Sequence, residues 1–153
     1  DTRHNGGGWL HDDLATLLDG EGYIRFEPRG QYIGTEPYNK WTKPSCVLIG
    51  EDNYSDACGF PYVYKTLGIG KLIGAPVPGT MTAVWWENQI DPSIVFGIPQ
   101  VGALGVKEGR YLENMQIEPD ILVYNDPASV LRGEDRQLEA AVKEMLKTID
   151  SNK

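Results

Sequence analysis

Ser55 stands in V-L-I-G-E-D-N-Y-S-D-A-C-G-F-P, residues 47–61, where an apolar run breaks into a polar corner and small residues lead on to aromatics. Two roles suit a serine in that setting. On a sharp turn from strand to helix its hydroxyl is a candidate nucleophile. It is also a favoured N-cap, its oxygen accepting from the free N–H groups of the following helix. A second element, N-G-G-G at residues 5–8, precedes a helical pattern. Three glycines allow a sharp turn and leave N–H groups uncovered, which suits binding of an oxyanion, and the same residues also make a plain flexible turn.

The other chemically capable residues fall into weaker patterns. His4 and His11 flank the glycine run; either is a base in principle, and each is as readily a structural or exposed residue. Asp12–Asp13 and Glu51–Asp52 are sequence neighbours, so they point to different faces and read as solvated surface. G-I-G-K at 68–71 has Leu72 where a phosphate loop needs Ser or Thr, and the lead from an earlier glycine is missing. Cys46 and Cys58 have neither a zinc spacing nor the number for a disulfide framework, and read as small buried side chains. Asn53-Tyr54-Ser55 fits a glycosylation sequon, a pattern short enough to arise by chance.

The chain as a whole narrows the function classes. Its 153 residues make one domain the default, and a composition 41% hydrophobic and 24% charged is that of a globular protein. A net charge of −8 opposes the phosphate neutralisation on which nucleic-acid binding depends. No segment has the roughly 18 consecutive apolar residues of a membrane-spanning helix.

The elements that must position these residues follow from periodicity. Leu10, Leu14, Leu17 and Leu18 make one apolar helix face, with Gly20 as its expected C-cap. G-Y-I-R-F-E-P reads as a strand ending before Pro28, and residues 29–45 as a long surface loop. C-V-L-I-G at 46–50 has the continuous apolar character of a buried strand. The aromatic-rich segment after Ser55 reads as a helix starting near Phe60, because Pro61 is easily placed only in a first turn. K-L-I-G, T-A-V-W-W-E, S-I-V-F-G-I and D-I-L-V-Y read as further strands. Asp126-Pro127 makes an N-cap and N1 pair, and Leu138, Ala141, Val142, Met145, Leu146 and Ile149 mark a final amphipathic helix.

Taken in order, D-T-R-H-N-G-G-G, the 47–74 stretch from V-L-I-G through L-G-I-G-K-L-I-G, L-E-N-M-Q-I-E-P-D-I-L-V and G-E-D-R-Q-L-E-A-A-V resemble the catalytic core of the tail-specific, or C-terminal processing, serine proteases, closest to their tricorn-like branch. The resemblance covers nearly the whole chain. It implies an α/β core of the crotonase-like and Clp-protease-like kind, with a mixed sheet and flanking helices. It implies Ser55 as nucleophile, and backbone N–H groups of Gly7, Gly8 and Asp56 as the oxyanion hole. Glu113, in E-N-M-Q-I-E-P-D, matches a glutamate that helps orient the catalytic histidine, although Gln116-Ile117 departs from the glycine preferred there. The lysine of the processing-protease dyad has no counterpart, since the corresponding stretch is A-P-V-P-G-T-M-T.

The resemblance further implies that the histidine base comes from a segment upstream of this core, so that 1–153 is one catalytic-core domain of a longer peptidase and is silent alone. The expected substrate is an unfolded or already shortened polypeptide, held as an extended chain on a strand edge. No metal or organic cofactor is implied, an extracytoplasmic location is slightly favoured, and there is room for a homo-oligomer. The rival is a non-catalytic binding module, since the same family includes retinoid-binding repeats; Tyr62, Tyr64, Trp85 and Trp86 would then line an apolar pocket. Ser45 and Cys58 are the alternative nucleophiles.

Overall fold

A computed structural model describes residues 1–151. In chain order, α1 (His11–Leu18) is followed by an antiparallel pair, β1 (Ile24–Phe26) and β2 (Gly34–Glu36). Next come β3 (Cys46–Ile49), α2 (Asp56–Leu67) and β4 (Lys71–Gly74). β5 (Thr82–Asn88) and β6 (Val95–Gly102) form a long antiparallel hairpin, β7 (Leu104–Gly105) and β8 (Arg110–Tyr111) a short one. β9 (Ile121–Leu122), α3 (Pro127–Leu131) and α4 (Arg136–Ser151) close the chain.

The core is built on a three-stranded parallel sheet in the order β3-β4-β9, with Val47 opposite Leu72 and Ile73 opposite Ile121. Successive strand residues face opposite sides of a sheet. Accordingly Val47, Ile49 and Leu72 pack with Cys58, Phe60 and Tyr64 of α2 on one side, while Leu48 and Ile73 meet Ala141 of α4 on the other. Both faces are covered, which is why these strands are continuously apolar instead of alternating. Leu14 and Leu18 of α1 add to the α2 side. The unit β3-α2-β4 places the corner between β3 and α2 at the carboxyl end of the sheet, where ligand sites of parallel sheets gather. Ser55 lies on that corner.

Helix α2 begins at Asp56, four residues before the expected start, and carries Pro61 in its interior. An interior proline withholds the N–H that would bond the carbonyl of residue i−4. Here that carbonyl is Ala57 O, and the side-chain amide of Asn53 donates to it at 2.8 Å. Asn53 is 1% exposed; its amide also donates to Thr2 Oγ1 at 3.0 Å, and its oxygen accepts from Gly50 N–H at 3.1 Å. The sequon asparagine is therefore inaccessible in the folded chain.

Other local expectations need adjustment. α1 is closed by Asp19, whose N–H donates to Ala15 O at 2.9 Å, and Gly20 is not left-handed; it is small because a Cβ there would stand 2.9 Å from Lys40 Cβ. β2 interrupts the 29–45 loop. Gly68 of G-I-G-K is the left-handed C-cap of α2, φ 72°. The apolar stripe of α4 is split: Ala141 is buried against the sheet, whereas Leu138, Val142 and Leu146 are about half exposed. The Asp126-Pro127 pair behaves as expected, with the Asp126 carboxylate accepting from Ser129 N–H at 2.9 Å.

The amino-terminal segment runs beside β3, where Thr2 N–H and Oγ1–H donate to Leu48 O at 2.9 and 2.8 Å. Arg3 makes a two-pronged contact with Asp135, both distances 2.8 Å, and holds its carboxyl far below the usual range. Asp135 also accepts from Leu138 N–H at 3.0 Å, so one carboxylate caps α4 and ties it to the segment leading into N-G-G-G. Among the described residues no helix is long and apolar enough to cross a membrane, and no group of three or more metal-ligating side chains converges.

Candidate active site

Ser55 has φ 55° and ψ −123°, a region that L-residues avoid. Its carbonyl accepts from Cys58 and Gly59 N–H, at 2.7 and 3.2 Å, and so starts α2. Its side chain makes no capping bond. The hydroxyl has no hydrogen-bond partner among the described residues and lines a cleft. Backbone strain of this kind, about 1–3 kcal/mol, persists where the surroundings enforce it and is concentrated at functional turns. Of the two roles open to this serine from its sequence, the cap is therefore excluded by geometry.

The glycine turn lies directly against this corner. Gly7, at φ 94°, is so close that a Cβ would come within 2.7 Å of both Ser55 Cβ and Tyr54 O. Tyr54 N–H donates to Asn5 O at 3.1 Å, and Asn5 Oδ1 accepts the Gly7 N–H at 2.7 Å. The Gly7 N–H is thus occupied. Those of Gly8 and Asp56 have no protein acceptor among the described residues, and both residues line the cleft with Ser55.

The Asp56 side chain points back to the turn, accepting from Leu10 N–H at 2.8 Å and pairing with His11 Nδ1. His11 lines the cleft too, under the edge of Trp9, and makes no hydrogen bond to Ser55. His4 is exposed and paired with Asp52. No histidine of the described residues is in hydrogen-bond contact with the serine.

Glu113 follows β8, and its Oε2 accepts from Met81 N–H at 2.8 Å and Thr82 N–H at 2.7 Å. Met81 and Thr82 line the Ser55 cleft, so Glu113 fixes the start of β5 at its wall. Burial pushes this carboxyl up, but the bonds from Met81 and Thr82 outweigh burial and leave it below the ordinary glutamate value. The Thr82 side chain bonds this carboxyl as well.

The alternative nucleophiles are committed elsewhere. Cys58 is fully buried, burial pushes its thiol up, and Sγ donates to Asn53 O at 3.3 Å. Ser45 Oγ pairs with Tyr64 OH at 2.8 Å. The four aromatics of the binding-module reading do not meet: Tyr64 is in the core, Tyr62 lines the cleft, and Trp85 and Trp86 are 59% and 63% exposed on the β5–β6 hairpin.

The sequence matches the model of peptidase family S41 over residues 1–123. The chain belongs to that family. It is 25% identical over 149 residues to the tricorn protease of Thermoplasma acidophilum, covering 97% of this chain and 14% of that protein. It superposes on the crystal structure of the tricorn protease with TM-score 0.82 at 24% identity, again over 97% of this chain and 14% of that one. A putative peptidase from Parabacteroides merdae gives TM-score 0.68 at 22% identity, with 94% of this chain and 50% of that chain covered. The chain thus spans only a small part of the tricorn length, and it has the serine-protease fold of the tricorn-like S41 core.

Two further residues shape this corner. Asn5, at the head of N-G-G-G, and Asn53, which the sequence offers only as a sequon, hold the Gly7 N–H and the proline-broken start of α2. An asparagine four residues before the carbonyl that an interior proline leaves free was the available cue.

Proposed function

We propose that this chain supplies the nucleophile, oxyanion donors and orienting carboxylate of a serine peptidase acting on unfolded or already shortened polypeptides. The observation that carries the proposal is the strained corner at Ser55, with a free hydroxyl beside the unpartnered N–H groups of Gly8 and Asp56. Ser55 Oγ attacks the scissile carbonyl carbon, and its proton passes through a histidine base to the leaving amine as the C–N bond breaks. Water then cleaves the acyl ester and restores the hydroxyl. Gly8 and Asp56 N–H bind the oxyanion, each donor contributing about 2.7–4 kcal/mol. Gly7 serves by leaving room.

The histidine comes from a part of the full-length protein outside this core, and the Glu113 carboxylate receives its N–H. In support, no base among the described residues is in contact with Ser55, and Glu113 is held at the wall of the same cleft by Met81 and Thr82. Among the described residues β5 bonds only to β6, which leaves one of its edges unpaired, and it begins at the cleft. An extended peptide adds a strand there. The 1–153 segment is one catalytic-core domain of that longer peptidase.

The test is labelling by a fluorophosphonate in the full-length protein, with Ser55→Ala as control. Labelling at Ser55 is expected, and labelling elsewhere or none overturns the proposal. Peptide turnover by residues 1–153 alone at the full-length rate would transfer the base to His11.

A further inference from the structure

We propose that the cleft beside Ser55 selects one uncharged, apolar substrate side chain of about the size of leucine, methionine or phenylalanine, on the residue whose carbonyl Ser55 attacks. The inference rests on the peptidase reading and adds the substrate class. The cleft has a volume of about 270 Å³. Gly8, Ser55 and Asp56 are among its lining residues, so a carbonyl held by them leaves the side chain on the adjoining carbon to enter the rest of the cleft. That remainder is walled by Tyr62, Val63, Met81, Leu104 and Leu112.

Among the described residues no lysine or arginine lines the cleft, and its one carboxylate, Asp56, and the Tyr62 hydroxyl are already engaged. Both carboxylate oxygens of Asp56 are taken, by Leu10 N–H and His11. Tyr62 OH donates to Glu108 at 2.7 Å, outside the cleft. A lysine, arginine or carboxylate side chain entering here loses water and gains no partner of opposite charge, which strongly disfavours it. A leucine, methionine or phenylalanine side chain instead replaces water against apolar walls.

Size is set by Gly59 and Met81, which lie close together in the cleft lining. A Cβ on Gly59 would stand 3.8 Å from Met81 Cε and 3.4 Å from Asp56 Oδ1, ordinary contacts that displace no backbone. A methyl group there fills space otherwise open to substrate, and alanine is also the better helix former at this position of α2. Truncating Met81 enlarges the space beside Gly59.

The experiment exposes the full-length protein to peptidyl diphenyl phosphonates that differ only in the residue at the reacting end: Ala, Leu, Met, Phe, Lys or Glu. Ser55 Oγ forms a bond to phosphorus, one phenoxide leaves, and the serine proton leaves with it as phenol. The rate is read as the mass gain of the Ser55 peptide. Leu, Met and Phe probes are expected to react about 10-fold or more faster than Lys and Glu probes. Gly59→Ala should lower the Phe-to-Ala rate ratio by about 10-fold, and Met81→Ala should raise it. These ratios are taken within one variant, so a lower yield of folded protein does not affect them. Labelling of Ser55 that is fastest with Lys or Glu, or ratios unchanged in both variants, overturns the inference and leaves the peptidase reading standing. Failure of both these probes and a plain fluorophosphonate to label Ser55 overturns the two together.

Discussion

A Cβ added to Gly7 would lie 2.7 Å from the Cβ of Ser55, closer than real carbon atoms pack. The glycine turn and the nucleophile corner are therefore one structure, fitted together across distant parts of the chain. Gly7→Ala should push the corner away and also strain a residue at φ 94°. Because a misplacement of about 1 Å costs on the order of 100-fold in rate, turnover should fall by at least that much. Gly6→Ala, where nothing lies within 4 Å of the new atom, is the matched control. Fluorophosphonate labelling of Gly7→Ala at the parent rate would show that the contact is dispensable.

Ser55 should trade stability for reactivity. Glycine adopts positive φ without the penalty borne by serine, so Ser55→Gly is expected to raise unfolding free energy by about 1–2 kcal/mol. Urea denaturation reads this directly. Ser55→Ala keeps the strained backbone and should leave stability within about 0.5 kcal/mol of the parent. Turnover, measured in the full-length protein, should fall by several orders of magnitude in both.

Glu113 should separate into a structural and an electrostatic role. Glu113→Ala leaves the N–H groups of Met81 and Thr82 without an acceptor, at a cost of about 1–3 kcal/mol. Glu113→Gln keeps an acceptor oxygen, so it should fold nearly as well yet hydrolyse peptide more slowly. The folded-state pKa is lowered, so the carboxylate's contribution is present above the unfolded value of about 4.3 and is lost as pH falls below it. The stability gap between parent and Glu113→Gln should be flat through neutral pH and close in acid. A gap that widens in acid would reverse this assignment.

Asn53 should be among the costliest single positions outside the reacting groups. Its amide satisfies Ala57 O, the carbonyl orphaned by Pro61, and its oxygen satisfies Gly50 N–H. Asn53→Ala leaves both buried and unpaired, an expected loss of about 2–4 kcal/mol. Combining it with Pro61→Ala, which restores the helical N–H, should recover part of that loss in a thermal melt. No recovery would mean that Ala57 O is satisfied in some other way.

The sequence by itself determined the apolar runs of β3 and β4, the helix after β3, and the Asp126 cap. These are local properties: burial on both sheet faces demands continuous aliphatic residues, and a cap needs only its own turn. The tertiary structure alone decided the rest. Whether Ser55 caps α2 or presents its hydroxyl depends on a φ/ψ pair enforced by Gly7 and by Tyr54 bonded to Asn5. α2 starts at Asp56 and not near Phe60 because the partner that makes Pro61 tolerable, Asn53, lies outside the helix. The split face of α4 was equally invisible, since amphipathic spacing says which side is apolar but not which part of it meets the sheet. Glu113 reaches Met81 and Thr82 only after β5 and β8 have folded toward one another. Periodicity records what each segment must bury, whereas the chemistry of this site depends on which segments meet, and that is fixed only when the parallel sheet and its crossings close.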